Sequence, residues 1–80
     1  MTRIYTLGLL SENEKGGSYL LVQVAHRHSQ GATRVALSHA AKEGGRWRVM
    51  HKAERRTGMA IPQGEILGTS GPFTFEESEG

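Results

Sequence analysis

The stretch Thr33–Glu54, TRVALSHAAKEGGRWRVMHKAE, decides the fold because it reads in two ways. As a β-hairpin, Glu43-Gly44-Gly45 forms a three-residue loop with glycine available for the left-handed position. Ala41 then faces Trp47, His39 faces Val49, Leu37 faces His51 and Val35 faces Ala53. The opposite side pairs Lys42 with Arg46, Ala40 with Arg48, Ser38 with Met50, Ala36 with Lys52 and Arg34 with Glu54. This register separates Val35, Leu37, Trp47 and Val49 from nearly every charge in the segment, and a one-residue slip would mix the two sets. As a helix, Thr33 caps the start, Ala36, Ala40 and Ala41 favour the state, and Gly44 sits where a glycine ends a helix. The hairpin is the first expectation and a helix over about 33–43 the alternative.

Outward from this stretch the chain reads as strands and turns. Ser18–His28 alternates most clearly, with Leu20, Val22 and Val24 sharing a face with His26 and His28. Arg3–Leu10 places Tyr5, Leu7 and Leu9 on one side, and Ser11–Gly17 is turn material. After Gly58, Met59–Ile61 is a short apolar run and Pro62-Gln63-Gly64 a turn. Glu65–Leu67 returns as a strand, Thr69–Pro72 breaks the chain, and Phe73–Phe75 alternates again. The expected class is mainly β, a small antiparallel meander or partial barrel, with α+β and a single helix at about 33–43 as the alternative. Residues 1–75 form one small β-rich domain anchored by Trp47, and 76–80 an acidic, frayed tail.

Composition narrows the chemistry. The 80 residues contain no cysteine and no aspartate, all eight acids being glutamate. Disulfides, thiolate nucleophiles, cysteine-held zinc and Asp-based triads are thereby excluded. No apolar run approaches the roughly 18 residues of a membrane span, so no membrane role is expected and the location is read as cytoplasmic.

Charge is unevenly laid out. Residues 26–56 carry eight Lys and Arg against two Glu, whereas residues 57–80 carry four Glu and no cation. With Trp47 and Val49 turned inward, strand alternation sends Arg46, Arg48 and Lys52 outward together. The hairpin adds Arg34 and Lys42, and Arg55 and Arg56 extend the stripe. These seven residues are the expected partner- or nucleic-acid-binding surface, arginine's planar fork suiting phosphates and carboxylates alike.

Other candidates are weaker. His26-x-His28 has acceptable metal-ligand spacing, and the hairpin register brings His39 and His51 to the same face. No carboxylate or thiolate completes a site there, so no metal and no cofactor are expected. Histidines with arginines also suffice for metal-free RNA cleavage. Aromatic platforms for stacking bases look scarce, with Tyr5 and Tyr19 the exposed candidates and neither having a companion.

The functional expectation is a non-enzymatic binding protein. It would be a small inhibitor or accessory regulator whose basic β face docks on a nucleic-acid-handling protein or nucleoprotein complex. Phage anti-defence proteins of the anti-CRISPR type fall in this class by size alone. Direct DNA or RNA binding is the alternative and a metal-free endoribonuclease the second. The chain is expected to be a monomer, or a homodimer built on Arg3–Leu10 as an unpaired edge.

Overall fold

Apolar alternation at the start of the chain builds the centre of a four-stranded antiparallel sheet. The computed structural model describes residues 2–13 and 16–76. Strands β1 (Arg3–Asn13) and β2 (Gly16–His26) pair along their whole length, from Arg3 opposite His26 to Asn13 opposite Gly16. Helix α1 (Ser29–Ala41) follows, then β3 (Arg48–Arg56) against the free side of β1 and β4 (Ile66–Glu76) against the free side of β2. The strand order is β3-β1-β2-β4. The protein is mainly β, and it carries the single helix in place of the hairpin. The sheet stays open, and the connection through α1 carries the chain past β1, so the order is not that of a simple meander.

The helix wins because of where its alanines fall. Ala32, Ala36 and Ala40 recur every four residues and are fully buried. A stripe of methyl groups lets the helix backbone lie close on the sheet, where a hairpin would have turned Ala36 and Ala40 outward among cations. The helix starts at Ser29, four residues before the expected Thr33. His28 occupies the N-cap without a side-chain bond, while Thr33 Oγ1 donates back to the Ser29 carbonyl at 2.9 Å. Gly44 and Gly45 have φ of 83° and 80°, and the Gly44 N–H donates to the Ala41 carbonyl at 3.0 Å. The glycines expected to turn a hairpin end a helix.

One face of the sheet packs on that stripe. Tyr5, Leu7 and Leu9 of β1 and Leu20, Val22 and Val24 of β2 form the core with the three alanines. Val35, Leu37, Trp47 and Val49, the set expected to point inward, do pack on it, although from a helix, a loop and a strand. Trp47 is only partly buried, its Nε1–H donating to the Gly44 carbonyl at 2.9 Å, and the largest fully buried side chains are aliphatic. Among the described residues no polar side chain is buried. The extents of 47 × 22 × 17 Å are those of one sheet plus one helix.

Two further expectations change. Thr69–Pro72 does not break the chain. Strand β4 runs through it, absorbing two extra residues as register shifts opposite Tyr19–Leu21 and Gln23–Val24, as an edge strand can. Strand β1 is central, so Arg3–Leu10 offers no edge for a dimer. The real edges are discouraged from pairing, β3 by charges and a bulge, β4 by its bulges and Pro72. Glu76 ends β4 opposite Gly16, and the rest of the expected acidic tail lies outside the described residues, as do Glu14 and Lys15 of the first turn.

If the alanine stripe sets the helix–sheet distance, Ala36→Leu overpacks it and lowers the unfolding free energy by about 1–3 kcal/mol. Ser38→Leu, on the exposed side of α1, changes it by less than about 0.5 kcal/mol. Urea titrations followed by circular dichroism compare the two, and equal effects would contradict this packing.

Candidate docking face

The second face of the sheet has no helix over it, and strand registers fix what it displays. Side chains directly opposite in an antiparallel pair share a face. Tyr19 lies opposite Leu10 in β1 and Phe73 in β4, and Leu10 lies opposite Arg48 in β3. Arg48, Leu10, Tyr19 and Phe73 therefore form one row across all four strands. Glu12, Gly17 and Phe75 form the row above it, and His51, Gly8, Leu21 and Ser70 the row below.

Two glycines let the aromatic rings lie on the sheet. The Tyr19 hydroxyl and His51 Nε2 share a hydrogen bond of 2.5 Å across Gly8, with ring centroids 6.1 Å apart. A Cβ on Gly8 would collide with both groups. Phe75 lies over Gly17, where an added Cβ would stand 2.8 Å from its ring. Phe73 and Phe75 remain 54% and 45% exposed, which is high for rings in a sheet. The result is an apolar patch of Tyr19, Leu21, Phe73 and Phe75 beside buried Leu10 at the β1–β2 turn end, with His51 and Arg48 on its β3 side.

Cations reach this face only in part. In the β1–β3 register, Gly8 faces His51 but Leu9 faces Val49, leaving Met50 as the extra residue of a bulge. The bulge reverses the alternation, so Arg48 sits on the open face whereas Lys52, opposite Leu7, sits on the helix face. There the Lys52 ammonium donates to Ser29 Oγ at 2.6 Å. Arg55, opposite Ile4, returns to the open face, and Arg56, opposite Arg3, belongs to the helix side. Arg34 and Lys42 are carried by α1 and its C-terminal cap, and Arg46 stands exposed in the following loop. The expected common stripe of Arg34, Lys42, Arg46, Arg48, Lys52, Arg55 and Arg56 is thus not formed. A helix and a one-residue bulge distribute it over both sides of the molecule.

Among the described residues two exposed ion pairs border the sheet. Arg48 binds Glu12 at 2.6 Å on the open face, and Arg3 binds Glu54 at 3.2 Å at the other end. The Glu54 hydrogen bond, with its charge, raises the Arg3 guanidinium above its ordinary value. Pairs this exposed add little stability.

The histidines separate too. His51 is on the open face, while β2 ends at His26 and His28 caps α1. The His28 N–H donates to His26 Nδ1 at 3.1 Å, and the two rings stand 6.3 Å apart. His39 lies on α1. The four imidazoles expected on one face are therefore split. Among the described residues no three His, Cys, Asp or Glu groups come together as a metal site, and no helix is long and apolar enough to cross a membrane.

Sequence reasoning missed the aromatic patch. Tyr5 is buried, contrary to expectation, and Tyr19 has companions in Phe73, Phe75 and His51. The available signal was Phe73-x-Phe75, two rings on one face of a strand with polar Thr74 and Glu76 between and after them. Comparison with protein-family models, with curated proteins and with solved structures finds no match for this chain.

The crowding at Gly8 makes a measurable prediction. Gly8→Ala destabilises the protein, and the loss shrinks by about 0.5 kcal/mol or more in a His51→Ala background, since the ring that collides is gone. A double-mutant cycle on thermal melts checks this, and strict additivity would mean that His51 does not lie over Gly8.

Proposed function

We propose that this chain is a non-enzymatic binding module, a small inhibitor or accessory regulator, that docks through its open sheet face on a protein that handles nucleic acid. The observation that carries the reading is the uncovered cluster of Tyr19, Phe73 and Phe75, from two adjacent rows, on a sheet whose central strands also place leucines on the open face. Leu9-Leu10 and Leu20-Leu21 put consecutive leucines on opposite faces, the pattern of strands buried twice over, yet one helix covers only one side. Tyrosine, phenylalanine and arginine are the residues that anchor protein interfaces.

Dimensions and charge describe the partner. Three eleven-residue strands and one of nine give a face of about 700 Å², near the roughly 800 Å² per partner of a standard interface. Among the described residues, the strand registers put Arg48 and Arg55 on the open face with one carboxylate, Glu12, which Arg48 already engages. A partner presenting an apolar ridge flanked by carboxylates complements both the patch and its rim.

Replacing Phe73 with the photocross-linker p-benzoylphenylalanine tests the reading in lysate of the source cells. One protein is expected to cross-link at position 73 and not at exposed Met59, with or without nuclease treatment. Purified, that protein is expected to lose affinity about thirtyfold or more with Phe73→Ala, while labelled RNA incubated with the chain stays intact. Cross-links only to another copy, a pattern the same as at Met59, or degraded RNA would each contradict the proposal.

A further inference from the structure

On the other side of the molecule, α1 runs beside the start of β4 and leaves a groove that the docking face does not use. It consists of two hollows of about 330 and 430 Å³ that share Arg34 and Val35. Ser38, His39, Lys42 and Ile66 complete one; His26, His28, Gln30, Gly31 and Gln63 complete the other. Among the described residues every ionisable side chain of this lining is Arg, Lys or His, and no carboxylate lines either hollow.

The absence of acid extends to the sequence. From Gly16 through Lys42 there is no acidic residue. The position four residues after Arg34 and four before Lys42 is Ser38 in both cases, so neither cation has the i,i+4 carboxylate that would explain it as helix support. Among the described residues neither forms an ion pair. They stand eight residues apart on one side of the helix, a rise of about 12 Å. That spacing places two cations along a groove, as a chain of regularly spaced anions requires.

We infer that this groove binds the phosphodiester backbone of a single-stranded nucleic acid, with Arg34 and Lys42 as the principal phosphate contacts. Gln30, Ser38 and Gln63 add hydrogen-bonding groups for sugars and bases. A single strand follows a narrow groove between a helix and a strand, whereas a duplex presents a broad convex surface that reaches only its rim. The inference is independent of the open-face docking reading. Together the two surfaces describe a module held between a protein and the strand that protein carries.

The test is fluorescence anisotropy of the full chain with labelled single strands of about twelve nucleotides, DNA and RNA, and with a duplex of the same sequence. Single strands are expected to bind, and affinity to fall as salt rises from about 50 to 200 mM. The double variant Arg34→Gln/Lys42→Gln is expected to bind about tenfold or more weakly and to reduce the log–log salt slope by about 1.4, the share of two phosphate contacts on a single strand. The double variant Phe73→Ala/Phe75→Ala is expected to bind as the wild type does, which keeps this result separate from the docking face. Tighter binding of the duplex, an unchanged affinity in the Arg34/Lys42 variant, or loss of binding in the Phe73/Phe75 variant would each overturn the inference. Both pairs are exposed, and matching circular dichroism melts confirm that the variants fold.

Discussion

One thirteen-residue helix has to serve a sheet with two faces, and the rest of the molecule follows from that shortage. Burying apolar surface is the dominant favourable term in folding, and here it is concentrated between the Ala32–Ala36–Ala40 stripe and six side chains of β1 and β2. On the opposite side Ile4, Leu10 and Ala25 of the two central strands are buried as well, with no helix over them. Towards β4 that burial fails, and Phe73 and Phe75 are left in solvent. A second helix would have produced an ordinary two-sided sandwich. Its absence leaves aromatic side chains exposed on the open face.

The extra residue at Met50 is the second structural decision. Without it β3 would alternate regularly, and Arg48 and Lys52 would share a face. With it, Lys52 turns to the helix N-terminus and meets Ser29, while Arg48 stays beside the aromatic row and meets Glu12. The basic centre of the chain is therefore real in composition but has no single location. Part of it rims the open sheet face, and part lines the groove beside α1. Two modest cationic surfaces with different neighbours suit contact with two chemistries better than one concentrated patch would.

The strand pattern of the first half was legible because β1 and β2 are adjacent in sequence and paired along their length. Period-two alternation alone put Tyr5, Leu7 and Leu9 on one side of their strand and Leu20, Val22 and Val24 on one side of theirs, though it did not show that Tyr5 is buried. Residues 33–43 were ambiguous because the same apolar residues satisfy either period. The tie is broken by Ala32, Ala36 and Ala40, whose value lies in how closely they let a helix approach a sheet, a tertiary effect invisible in a hairpin register. The aromatic patch was hidden for a related reason. Tyr19 meets Phe73 only through a pairing 54 residues apart in the chain, with two register shifts between it and the start of β4. The bulge at Met50 leaves no mark in composition, so the expected cationic stripe could not have been corrected from sequence.

Whether the aromatic face is open in the free chain can be measured directly. Solution NMR with a soluble paramagnetic agent reports the solvent access of individual ring protons. In an uncovered sheet face the Phe73 and Phe75 protons relax strongly, on a par with exposed Met59, while those of Tyr5 and Leu7 are spared. Protection of both phenylalanines in the isolated monomer would mean that the chain covers this face itself, and the face would then not be available to a partner.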